Sequence, residues 1–145
     1  NLPTLCPDHP LDLAPGQSHA TTLRIADDVA AWKQLADGPY LQLDVMAEHL
    51  DESQNLTVSL NDHPLTSRAL TWYPKAKEMW YEYGVDPAFV KQGANDLSIK
   101  LGDSNGQDCK VHDVQLRIDY KLNGERRRDI AQSRGRYVAH HSSTV

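Results

Sequence analysis

At 145 residues, with 39% hydrophobic and 24% charged residues, the chain has the length of one domain and enough apolar side chains for one core, which excludes a disordered polypeptide. Acidic residues outnumber basic ones by 20 to 15, a formal net charge of -5, so bulk positive charge does not steer it to nucleic acid. No stretch reaches the roughly 20 apolar residues of a membrane-spanning helix, and the run from Asn1 to Leu11 lacks the basic start and apolar centre of a secretory signal, so no membrane partner is expected.

Period-two alternation recurs along the chain and predicts short half-buried strands. Leu11 and Leu13, then Leu23 and Ile25, flank the turn Ala14-Pro15-Gly16-Gln17. Asp27 and Asp28 open a short helical segment from Ala26 to Leu35, with Val29, Trp32 and Leu35 at helical spacing. Leu41, Leu43 and Val45 follow the breaker Asp37-Gly38-Pro39. Leu56, Val58 and Leu60 run into the turn pair Asn61-Asp62. The stretch Leu70-Thr71-Trp72-Tyr73-Pro74 lacks alternation and reads as loop. Tyr81, Tyr83 and Val85 lead into Asp86-Pro87, where Pro87 to Lys91 forms a single helical turn. Leu97, Ile99 and Leu101 end at the polar loop Gly102-Asp103-Ser104-Asn105-Gly106. Val114, Leu116, Ile118 and Tyr120 form the most regular alternation. About eight strands at this spacing, with one or two short helical turns, predict an all-β, antiparallel sandwich over residues 1–122. Residues 123–145 differ: Arg126, Arg127, Arg128, Arg134 and Arg136 leave little to bury, so this part reads as an Arg-rich tail or linker.

The two cysteines, Cys6 and Cys109, are too far apart for a CxxC redox or zinc pair. They precede the first and the last expected strands of the sandwich. Both states stay open: a disulfide, which implies an oxidising compartment, or two free thiols. Asn55-Leu56-Thr57 matches the glycosylation sequon, a triplet common by chance.

Four segments together resemble a known family. They are Leu56 to Leu65 (LTVSLNDHPL), Trp80 to Pro87 (WYEYGVDP), Lys91 to Leu101 (KQGANDLSIKL) and Asp113 to Tyr120 (DVQLRIDY). In this order they resemble the galactose-binding-like jelly-roll β-sandwiches appended to glycoside hydrolases and polysaccharide lyases. The resemblance spans roughly residues 11–120. It implies a non-catalytic, carbohydrate-binding accessory module, secreted or at the cell surface or periplasmic, with a polysaccharide or oligosaccharide and a parent catalytic domain or neighbouring subunit as partners. Where the family usually carries Asn-Gly, this chain has Asn61-Asp62, which puts the turn type in question because Asp accepts left-handed geometry less readily than Gly. Gly93 ahead of Asn95 suits a turn with positive φ, with the Asn95 amide tying the backbone across it.

No nucleophile elbow, HExxH helix or phosphate-binding glycine loop is present, so no catalytic residue is assigned. Stacking on a pyranose needs a flat exposed ring with planar polar groups beside it. Trp72 and Tyr73 are the candidate rings, with Arg68 and the turn Asn61, Asp62 and His63 as polar contacts, and with Lys75 and Lys77 nearby. Trp72 has a second reading as a plug at the end of the core, since tryptophan is buried on average. Trp80 reads as packed, because the family packs its ring there, and Trp32 as fixing the short helix to the sheet. His9, His19, His49, His63 and His112 show no metal-ligand spacing. No cofactor is expected: modules of that family often carry a structural calcium ion, for which Asp27, Asp28 or Asp113 have the oxygens, but no loop here shows a calcium signature. The Arg126 to Arg128 run suits a solvated cluster or a contact with an acidic partner surface. The competing functional reading is a structural or interaction module that packs within a larger enzyme or surface assembly through residues 123–145.

Overall fold

A computed structural model of the chain describes residues 10–32, 39–122, 125–132 and 137–143. The alternating segments become strands: β1 (Leu11–Leu13), β2 (Ser18–Ile25), β3 (Tyr40–Glu48), β4 (Leu56–Leu60), β5 (His63–Pro64), β6 (Thr66–Tyr73), β7 (Glu78–Val85), β8 (Gly93–Leu101), β9 (Cys109–Leu122), β10 (Glu125–Gln132) and β11 (Tyr137–Ser143). The helical content among the described residues is slight. It consists of α1 (Val29–Trp32) and 3-10 turns at Ser53–Asn55 and Pro87–Phe89, the latter capped by the Asp86 carboxylate, which accepts from the Ala88 amide at 2.9 Å. Leu35 and the Trp32 side chain lie outside the described set.

All pairing is antiparallel, in two sheets. The larger runs β11-β10-β9-β3-β7-β6 and the smaller β2-β8-β4-β5. β9 organises the larger sheet. One of its edges pairs with β3 from Lys110 to Asp119, while the other is shared, β1 taking Cys109 to Val111 and β10 taking Gln115 to Leu122. The chain is therefore an all-β antiparallel sandwich, as the alternation predicts. Its interior is one cluster built from the inward phase of both sheets, including Leu43, Tyr83 and Leu116 from the larger and Leu23, Val58 and Ile99 from the smaller.

Three local expectations change. Within residues 123–145, expected as tail or linker, Glu125–Gln132 and Tyr137–Ser143 continue the larger sheet as β10 and β11. Backbone hydrogen bonding explains this, because the second half of β9 otherwise presents a row of unpaired amides and carbonyls, and satisfying them needs no inward apolar pattern. The side chains of the Arg126 to Arg128 run lie outside the described set, as do Arg134 and Arg136. Leu70 to Tyr73 of the stretch Leu70 to Pro74, expected as loop, belong to the edge strand β6 (Thr66–Tyr73). Its alternation is missing because seven of its eight residues are exposed, so neither face is selected for apolar side chains. The doubt over Asn61-Asp62 resolves as well: φ is 49° and 67°, positive at both residues of the two-residue link between Leu60 and His63, as a type I′ hairpin turn requires.

Candidate functional site

The outward phase of the larger sheet is polar at its centre. β3 lies between β7 and β9, with Asp44 opposite Glu82 on one side and Gln115 on the other, and Gln42 opposite Gly84 and Arg117. Gln42 and Asp44 are buried although they point outward, so they need partners within the sheet. Gln42 Nε2 donates at 2.7 Å to Asp44 Oδ1 and at 2.7 Å to Glu82 Oε1. Arg117 Nε pairs with Asp44 Oδ2 at 2.9 Å, and its Nη2 lies 4.0 Å from Glu82 Oε1. Thr71 Oγ1 donates to Glu82 Oε2 at 3.2 Å. Burial pushes the Asp44 carboxyl above its usual range, and the nearby Glu82 charge adds to this. The Gln42 hydrogen bond and Arg117 pull the other way. The result is a rigid floor of carboxylate, amide and guanidinium groups fixed on strands.

Aromatic rings stand at one end of this floor. Trp80 is partly exposed on β7 and its Nε1 donates to Glu78 Oε1 at 3.3 Å. Tyr73, opposite Glu78 on β6, is half exposed. The two rings line an open cleft of about 460 Å³ together with Asp44, Glu82, Arg117 and Lys75. Ring faces beside fixed hydrogen-bonding groups suit a ligand with one apolar face and polar edges.

Strand geometry separates the residues singled out from sequence. Trp72 and Tyr73 are neighbours on β6 and point to opposite faces, so they cannot form one platform. Tyr73 faces the cleft. Trp72 pairs with Met79, which packs against the core, and Leu70 pairs with the buried Tyr81, so both lie on the core side of the sheet. They nevertheless remain 50% and 53% exposed, so the small sheet, whose edge strand β5 is only two residues long, leaves them largely uncovered. Arg68 reaches the outward face farther along, where it lies over the Tyr40 ring and hydrogen-bonds the Tyr40 hydroxyl. Asn61, Asp62 and His63 sit on the smaller sheet. The Asn61 amide is committed to the Phe89 carbonyl and to Asn95, and the His63 ring stacks on Phe89 at 4.2 Å.

The cluster thus joins Trp80, which the sequence reads as packed, to Gln42, Asp44, Glu82 and Arg117, which the sequence does not single out. The available signal was the polar phase of Leu41-Gln42-Leu43-Asp44-Val45: a strand this apolar on its other phase sits centrally, where an amide and a carboxylate on the outward phase must be held by neighbours.

The other expected sites are simpler. Cys109 is buried opposite Leu13, and burial pushes its thiol to about 11, while Cys6 lies outside the described residues. Asp27 accepts from the Tyr120 hydroxyl at 3.2 Å and Asp113 from the Val114 amide at 2.8 Å. Among the described residues no three His, Cys, Asp or Glu side chains gather as metal ligands, and no helix is long and apolar enough to cross a membrane. No known family model matches the chain, and no curated protein matches it in sequence.

Proposed function

We propose that the chain is a non-catalytic carbohydrate-binding module that holds a glycan-active partner near its polysaccharide, with the outward face of the larger sheet as its binding surface. The observation that carries this reading is the partly exposed Trp80 ring beside the Gln42, Asp44, Glu82 and Arg117 network at an open cleft. A pyranose laid on the indole buries its apolar C–H face, and its hydroxyls meet acceptors and donors that are already oriented. Little side-chain ordering then remains at the moment of binding. Retention on an extended glycan raises the effective concentration of an attached catalytic domain even where each contact is weak.

Affinity electrophoresis through gels containing single polysaccharides tests the reading. Retardation by at least one of them, lost in Trp80→Ala with the thermal midpoint preserved, supports it. Migration unaffected by every polysaccharide in the panel removes it.

A second reading has its own observation. Leu70 and Trp72 form an apolar overhang beside the free edge of β6, a surface suited to packing inside a larger enzyme or assembly. Light scattering of the chain separates the two, since self-association that is lost in Trp72→Ala favours the structural role.

A further inference from the structure

The cleft at Trp80 extends along β7 as far as Glu82. The next outward position on β7 is Gly84, which sits opposite Gln42 on one side and Thr66 on the other. A second open groove of about 600 Å³ begins there, lined by Tyr40, Thr66, Arg68, Gly84 and Phe89. Trp80 and Gly84 are four residues apart on one strand, a separation of about 13 Å. The polar floor spans the interval.

Three features build this far end. The pairing of β6 with β7 shifts between Ser67 and Ala69, so Arg68 is the extra residue of a bulge. A bulge re-aims a side chain that regular alternation would send elsewhere. Gly84 then provides the room: a Cβ on it would overlap Arg68 Nε, so any other residue would displace the guanidinium from the sheet. The half-exposed Tyr40 ring completes the arrangement, with the Arg68 guanidinium carbon 5.1 Å from its centroid.

We propose that the ligand is a linear glycan lying along β7, with one sugar on Trp80 and another against the Tyr40–Arg68 pair, so that the module recognises an internal stretch of chain several sugars long. This rests on the carbohydrate-binding reading above. A single ring cannot reach both ends, whereas a short oligosaccharide can, and joining the two contacts makes the second one intramolecular.

Calorimetric titration with a ladder of oligosaccharides, disaccharide to hexasaccharide, prepared from a polysaccharide that retards the protein, tests the proposal. Affinity is expected to climb by about tenfold or more from disaccharide to tetrasaccharide or pentasaccharide and then level off. Arg68→Ala and Tyr40→Ala, each checked for an unchanged far-ultraviolet spectrum, are expected to bring the longer oligosaccharides down to the disaccharide's affinity. An affinity equal for all lengths, or a climb that survives both substitutions, overturns the extended site and leaves carbohydrate binding standing. Failure of every polysaccharide to retard the protein removes both.

Discussion

The Asn61 amide donates to Asn95 Oδ1 at 2.9 Å and so ties the β4–β5 turn to the start of β8. Asn95 is fully buried and makes the rest of the joint. Its Oδ1 also accepts from the Lys91 amide at 2.9 Å, and its Nδ2 donates to the Lys91 carbonyl at 2.8 Å and the Gly93 carbonyl at 3.1 Å. Asn95→Ala therefore strands several polar groups at once. It should cost on the order of 3 kcal/mol in chemical denaturation, each buried group left unsatisfied carrying about 1–3 kcal/mol. A loss below about 1 kcal/mol would mean that the joint is dispensable or that water replaces the amide.

The neighbouring turn predicts a gain. Asp62 holds φ at 67° and its side chain is exposed, so the residue bears left-handed strain without a buried contact in return. Asp62→Gly creates Asn-Gly, the preferred pair for this turn, and should stabilise the chain by about 0.5–1 kcal/mol. Asn61→Gly should do the opposite despite relieving φ, because it removes the hydrogen bonds to Phe89 and Asn95. Denaturation midpoints of the two variants moving in the same direction would contradict this assignment.

The fold was legible wherever one face of a strand is buried and the other wet. Leu97-Ser98-Ile99-Lys100-Leu101 alternates without exception, and β8 follows it. Legibility failed where that contrast is absent. β6 is exposed on both faces, and β10 and β11 are joined through backbone hydrogen bonding that any residue except proline can supply. The site was harder to see for a related reason. Gln42, Asp44 and Glu82 occupy the phase that alternation labels as solvated, and only the register of β3 with β7 reveals that they share one hydrogen-bond network. Trp72 and Tyr73, adjacent in sequence, invited a joint role that a strand forbids.

Asp44 predicts a pH response of definite sign. Burial raises its folded-state pKa above the ordinary value of 3.8, so the folded chain takes up this proton before the unfolded chain does as pH falls. Through this group the wild type gains stability on acidification, from the raised folded value down to 3.8, and keeps the gain below that. Asp44→Asn has no such titration. The wild-type melting temperature minus that of Asp44→Asn should therefore increase as pH is lowered from about 7 to about 3. A difference that stays flat, or shrinks, would show that the Gln42 and Arg117 contacts outweigh burial.

Tyr83 is 1% exposed, and its hydroxyl has no hydrogen-bond partner among the described residues. Burial raises its pKa, and the neighbouring Tyr81 and Cys109 add to the effect. An unpaired buried hydroxyl costs free energy that a phenyl ring does not incur, so Tyr83→Phe should be neutral or stabilising by up to about 1 kcal/mol. Tyr83→Ala, which empties the core at that point, should cost about 3–5 kcal/mol. Destabilisation of the Phe variant beyond about 1 kcal/mol would reveal a hydroxyl partner.

Trp72 and Trp80 distinguish the two faces of the larger sheet. Trp80 stands on the outward face in the cleft, and Trp72, paired with Met79, overhangs the core side with half its surface in water. Trp72→Ala removes only part of a buried ring, so its stability cost should stay near 1–2 kcal/mol, roughly the transfer free energy of the apolar area that is covered. Because the ring points away from the cleft, retention in a polysaccharide gel should be unchanged in Trp72→Ala and lost in Trp80→Ala. The reverse pattern, with both variants folded, would move the ligand to the overhang formed by Leu70 and Trp72, where the small sheet leaves β6 uncovered.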